Sequence, residues 1–196
     1  MATIQFDSAE ERRSASLLGM WLFLATEVLF FGPLFFGYLR GRLAVHEAFV
    51  SGSHHIHFWL GTANTALLLT SSLTMALAVE RAKLGRGVRL MLSLTAALGT
   101  AFLCIKAYEY ASELGEAASA RGGEAMFYFL YFAMTGVHAL HLAIGIGLVA
   151  WLWLTARRYG ERYSMPVEVT GLYWHFVDIV WVFLYPMFYL LERYNA

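Results

Sequence analysis

Residues 17–39 read LLGMWLFLATEVLFFGPLFFGYL, and this stretch decides the fold. A bilayer's hydrocarbon core is about 30 Å thick, so a spanning helix takes roughly 20 mainly apolar residues at about 1.5 Å each. The run meets that length with one ionisable residue, Glu27, near its middle and one proline, Pro33, inside it. Four more runs of the same kind follow at 58–79, 88–108, 127–154 and 171–191. The fourth is the longest, which tilt or projection beyond the hydrocarbon accommodates. The predicted fold class is an all-α membrane protein, with residues 1–196 forming a single bundle of five transmembrane helices.

Composition supports the reading. Apolar residues are 59% of the chain and charged residues 14%, against about 25% charged in a soluble domain. That leaves too little polar surface to face water all round. A net charge of zero argues against a basic nucleic-acid-binding face. The single cysteine, Cys104, excludes an internal disulfide and a metal-finger spacing; in an apolar run it is expected to be buried and inert. The residues before the first run are polar, with Asp7, Glu10, Glu11, Arg12 and Arg13. That run is too long for a signal core and lacks a small-residue cleavage site, so the first helix is expected to stay in the mature protein.

Orientation follows from Lys and Arg on alternate sides. Nine fall on the N-terminal side: Arg12, Arg13, Arg81, Lys83, Arg86, Arg89, Arg157, Arg158 and Arg162. Five fall on the other: Arg40, Arg42, Lys106, Arg121 and Arg193. The richer side is predicted to be cytoplasmic, which puts the N-terminus inside and the C-terminus outside.

Ionisable groups within spans are costly, by about 2.5–3.5 kcal/mol near the centre, and must face protein or water. Glu27 has two readings: a neutral, hydrogen-bonded structural carboxyl or a proton-handling one. His138 and His141 share a face of the fourth span, and His175 and Asp178 share one of the fifth, each pair three residues apart. Interhelical hydrogen bonding accounts for them, with a metal or heme site as the competing option. Lys106 and Glu109, one turn apart at the predicted end of the third span, fit a lysine that snorkels to the headgroups and pairs with its neighbour. Thr62, Asn64, Thr65, Thr70, Ser71, Ser72 and Thr74 can bond across helices or back to their own carbonyls. Gly136, Gly145, Gly147, Ala139 and Ala143 allow close helix approach on the fourth span. His46, His54, His55 and His57 read as solvated loop histidines, and Trp21, Trp59, Trp151, Trp153, Tyr108 and Tyr110 as interfacial aromatics. No phosphate loop, nucleophile elbow or hydrolase motif is present.

The polar motifs, taken in order, resemble subunit III of heme-copper terminal oxidases of the cytochrome c oxidase type. The first span carries the run from Met20 to Phe31 centred on Glu27, and the second Asn64-Thr65 followed by LLLTSS. The third ends in Glu109-Tyr110, and the fourth has Thr135-Gly136-Val137-His138-Ala139-Leu140-His141. The fifth reads YWHFVDIVWVFLY from Tyr173 to Tyr185, including Trp174, His175 and Asp178, and is the most specific of the five.

The resemblance implies a subunit of a respiratory oxidase in the bacterial cytoplasmic membrane, with no catalytic residue and no metal of its own. Heme and copper are then expected on partner subunits I and II, with phospholipid on this chain and a supporting role in proton uptake and turnover stability. It also implies that Glu27 matches the family's carbodiimide-reactive carboxyl, and that Asn64, Glu109, His138, His141, Trp174, His175 and Asp178 are its buried polar motif residues. Two features depart from the mitochondrial form. The two helices preceding the glutamate motif, which border part of the lipid cleft, are not seen here, and Lys106 replaces a glutamine. The third subunits of quinol oxidases and nitric oxide reductases are the alternatives, and a small transporter using Glu27 is a more distant one.

Overall fold

A computed structural model describes residues 9–85, 87–159 and 164–191. Long helices account for nearly all of them: α1 (Ala9–Ala44), α2 (His46–His55), α3 (Phe58–Lys83), α4 (Val88–Ser119), α5 (Gly123–Tyr159) and α6 (Ser164–Tyr185). A π-helical turn, Pro186–Leu190, continues α6. In hydrocarbon every peptide group must be satisfied within its own segment, which is why apolar runs become unbroken helices. Five of them, all except the short α2, are long and apolar enough to cross a membrane. Asp7, Arg86, Arg162 and Arg193, and the side chains of His55, Arg157 and Arg158, lie outside the described residues.

α3, α4, α5 and α6 pack in a closed ring, each against the next, and α3–α4 is the most extensive pairing. α1 lies outside the ring against α5 and α6, with α2 tucked against α5 and α1. The α3–α4 hairpin is tight: Leu84 N–H donates to Glu80 O (3.2 Å), and Gly85 and Gly87 take φ near +67° and +66°. Those left-handed positions exclude a Cβ without strain.

α4 and α5 extend well past the predicted spans. The residues after Tyr108 include Ala, Glu and Leu, good helix formers that carry α4 on to Ser119. Lys106 is therefore not at a helix end. It is buried in the ring at 2% exposure and does not snorkel to headgroups.

Large rings fill the ring interior where small residues leave space. Trp174 is fully buried between α4 and α5, where a Cβ on Gly99 would come within 2.9 Å of its ring and one on Gly145 within 3.2 Å. Of the small residues expected to mediate close packing on α5, Gly145 does so, while Gly147 and Ala143 face outward. Cys104 is exposed rather than buried. Its neighbours Phe102 and Lys106 take the inward face of α4, and two residues along a helix turn a side chain to the far side. Trp21, Trp59, Trp151, Trp153 and Tyr108 point outward, but Tyr110 turns in to bond Thr135.

The end of α6 changes form at Pro186. Proline has no N–H for the α-helical ladder, and the helix widens so that Leu191 N–H donates to Pro186 O at 2.9 Å. Side chains from elsewhere cap the carbonyls of this turn: Tyr38 O–H donates to Met187 O (2.5 Å) and Ser53 O–H to Phe188 O (3.0 Å). Phe188 and Tyr189 are thereby held in the core.

Candidate functional site

Most of the buried polar residues gather in three centres. The largest sits where α4, α5 and the π turn meet. Lys106 Nζ donates to Glu109 Oε2 (3.1 Å), the Tyr131 phenol oxygen Oη (2.9 Å) and the Tyr189 Oη (2.7 Å), so each ammonium proton has an acceptor. Tyr131 O–H donates to Glu109 Oε1 at 3.0 Å, and Tyr189 O–H donates to the same oxygen. Glu109 is wholly buried. The ammonium also lies 4.7 Å from the Tyr131 ring centre and 5.2 Å from that of Trp181, where aromatic faces favour a cation. The i,i+3 pairing of Lys106 with Glu109 was legible from spacing. The two phenols, which come from α5 and from beyond Pro186, were not.

One turn further along α4 comes Glu113, buried at 3% exposure. At that end of the bundle Tyr128 O–H donates to Glu116 Oε2 (3.2 Å) and Ser51 O–H to Glu124 Oε1 (2.7 Å).

The second centre joins α1 to α5. Glu27 Oε2 and His141 Nε2 are 3.1 Å apart, and His141 Nδ1 lies 2.8 Å from Val137 O. Tyr173 O–H donates to His141 O at 2.9 Å, and Phe31 packs on the imidazole at 5.4 Å between ring centres. A carbonyl accepts and cannot donate, so Nδ1 carries a hydrogen. One proton then remains for the Nε2···Oε2 contact. Either a protonated Glu27 donates to a neutral ring, or an imidazolium donates to a carboxylate. Both forms carry no net charge, which suits a site of low polarity.

The third centre lies between α3 and α6. Trp174 Nε1–H donates to Ser71 Oγ (3.1 Å) and Trp181 Nε1–H to Thr65 Oγ1 (3.0 Å). The Ser72 hydroxyl meets His175 Nδ1 at 2.8 Å. Asp178 Oδ2 is 3.9 Å from the same nitrogen, beyond hydrogen-bond range. At either end of this stretch of α3, Thr62 bonds the Tyr185 hydroxyl (2.8 Å) and Thr74 the hydroxyl of Thr95 on α4 (2.8 Å). The α3 hydroxyls thus bond both across helices and to their own carbonyls.

Asn64 and His138 sit deeper in the ring, and among the described residues neither side-chain polar atom of either has a hydrogen-bond partner. His138 packs between Phe102 and Trp181, with ring centres 5.6 and 5.1 Å away. His138, His141 and His175 thus turn to three different sets of neighbours.

The chain also shows a consistent likeness to known proteins. A family model described as "Cytochrome c oxidase subunit III" matches residues 2–192. The cytochrome c oxidase subunit 3 of Thermostichus vulcanus is 34% identical over 197 residues, covering 97% of this chain and 94% of the relative. That of Corynebacterium diphtheriae is 31% identical, with 98% and 96% covered. The quinol oxidase subunit 3 of Bacillus spizizenii is also 31% identical, with 90% and 87% covered. Since these matches run the length of the five spans and cover both partners almost fully, the chain belongs to the cytochrome c oxidase subunit III family and is a subunit III of a heme-copper oxidase.

Proposed function

We propose that the chain acts within its oxidase as a non-catalytic subunit of the bacterial cytoplasmic membrane, with its N-terminus inside. In this reading it packs beside subunit I, with subunit II also in the complex, and those partners hold the heme and copper. The observation that carries it is the fate of the polar groups. Lys106 spends its three donors on Glu109 and two phenols, and Glu27 spends its carboxyl on His141. Groups closed on one another in this way fix helix positions and hold a proton; they are not arranged about a substrate.

The Glu27–His141 pair gives this subunit a role in proton traffic. It stands at the edge of the bundle, with side-chain exposures of 16% and 14%. Moving its single proton between carboxyl and imidazole leaves the total charge unchanged, so the transfer avoids the cost of creating a net charge in hydrocarbon. Beside it, α1 and α6 form an apolar groove of about 280 Å³ lined by Val28, Phe31, Gly32, Phe35, Phe176, Ile179, Val180 and Phe183. Its chemistry matches a phospholipid acyl chain.

The reading is tested by purifying the chain with and without its complex. The complex is expected to contain a heme-bearing subunit, and the chain expressed alone to show no heme absorbance and no bound copper. Stoichiometric heme or copper on the isolated chain overturns it. The likeness to a quinol oxidase subunit 3 supports a second reading of the electron donor, decided by whether the purified complex oxidises cytochrome c or a quinol.

A further inference from the structure

The cations at the α3–α4 hairpin end of the bundle differ in how they are used. Arg13 is closed on Glu168 at 3.0 Å. Arg81, Lys83 and Arg89 make no ion pair and no side-chain hydrogen bond among the described residues. Glu80, beside Arg81 in the chain, pairs with none of them. The first turn of α4, where Arg89 stands, contains no acidic residue.

Arg89 is nevertheless held in place. Its Cζ lies 4.0 Å from the ring centre of Trp153 on α5, and the attraction between cation and indole face orients the guanidinium. Nε is covered and has no acceptor. The two Nη groups are neither covered nor bonded, so the open side of this half-buried side chain is its outer, paired-donor edge. Arg81 reaches the same turn from α3. Its Nη1 lies 2.9 Å from the place of a Cβ on Gly87, two residues before Arg89 in the chain.

Depth decides what kind of anion meets these groups. Arg89 stands at the start of the apolar run 88–108 and Trp153 at the close of 127–154, which puts the pair at the boundary of the hydrocarbon. Leu90 and Leu94 on α4 and Leu154 on α5 are exposed beside it. One turn inward along each helix, Ser93 and Ala150 are exposed and small, leaving a shallow track below the pair. A guanidinium binds phosphate through N–H donors that lie in one plane, and a stacked one is already oriented to do so. Free phosphate matches that charge but leaves the apolar track bare; a lipid phosphate brings acyl chains to it. Two guanidiniums with no acid beside them also favour a headgroup of net negative charge over a zwitterionic one. We propose that Arg89, held on Trp153 and assisted by Arg81, binds the phosphate of an anionic phospholipid whose acyl chain lies along the α4–α5 seam. This lipid is separate from the one assigned to the α1–α6 groove, and the inference rests only on residence in a membrane.

The test is native mass spectrometry of the full chain and of the whole oxidase, each mixed in detergent with phosphatidylglycerol or phosphatidylcholine of equal chain length. Phosphatidylglycerol is expected to be retained about fivefold more than phosphatidylcholine, the order set by one basic residue at a membrane surface. Arg89→Gln is expected to erase that preference. Trp153→Leu, which keeps the charge and removes its platform, is expected to weaken it. Lys83→Gln alters an exposed cation at the same end and is expected to leave it unchanged. Trp153 and Lys83 are both exposed, so those two variants leave the core intact. Equal retention of the two lipids, or a preference that survives Arg89→Gln, overturns the inference. So does a preference that Lys83→Gln removes as fully, which means a diffuse basic surface. Displacement of the lipid by millimolar inorganic phosphate marks a free-anion site and overturns it too. A preference shown by the isolated chain but absent from the whole oxidase means that another subunit covers Arg89, and it has the same effect.

Discussion

Replacing Lys106 with Met is expected to destabilise the bundle strongly, and the geometry sets the scale. The substitution fills similar volume but removes the three charge-assisted hydrogen bonds to Glu109, Tyr131 and Tyr189. Glu109, wholly buried, is left without its cation. Breaking a buried pair on one side costs about 3–5 kcal/mol, which at about 2–4 °C per kcal/mol for a chain of this size lowers the melting temperature by roughly 6–20 °C. Glu109→Gln alone strands the ammonium instead and is expected to cost a similar amount. The double variant carries neither charge, and Tyr131 and Tyr189 still find an acceptor in the glutamine carbonyl. Neutral replacement of a buried pair is often harmless or stabilising, so the double is expected to melt within about 5 °C of the unsubstituted chain. Thermal unfolding in detergent, followed by circular dichroism, reads all four proteins. Losses that simply add in the double variant refute the reasoning. A drop of less than about 2 °C for Lys106→Met does the same, because it means the pair lies in water-like surroundings.

Glu27→Gln keeps a hydrogen-bonding group against His141 but removes the proton site. Assembly and initial oxygen turnover are expected to be normal, with a changed active lifetime or a changed dependence on proton uptake; turnover assays in which neither changes make Glu27 purely structural. Gly61→Ala places a Cβ 2.6 Å from the Tyr189 ring and is expected to cost about 1–3 kcal/mol by overpacking. Gly147→Ala meets nothing within 4 Å and is expected to be neutral or to gain about 0.5–1 kcal/mol, so equal melting temperatures for the two variants contradict the packing described.

The five spans were legible because hydropathy and length report directly on what hydrocarbon tolerates. Helix ends were less so. Apolar runs stop where lipid stops, whereas α4 goes on through Glu109, Glu113 and Glu116 to Ser119. The error on Lys106 came from this difference: a lysine near the end of an apolar run reads as snorkelling, but its neighbours at three- and four-residue spacing are the buried face of a longer helix. Cys104 failed for a related reason, since an apolar run does not say which of its residues face lipid. The site pairs divide by range. Lys106–Glu109 lies within one helix and shows in the spacing. Glu27–His141 and Trp174–Ser71 join distant segments, and no local pattern specifies which helices become neighbours. Tyr189 was out of reach for a third reason: the extra residue per turn after Pro186 breaks the helical periodicity from which its direction would be extrapolated.

The position of α1 outside the ring bears on how the protein is made. Synthesis runs from the N-terminus, so α1 emerges before α5 and α6, the two long helices it packs on. During that interval α3 and α4 can already close their hairpin, while Glu27 waits for His141, more than a hundred residues later. A helix made before α5 and α6 thus finds its place only once they have arrived. Until then its carboxyl must ride in the bilayer uncharged or be sheltered by some other polar partner.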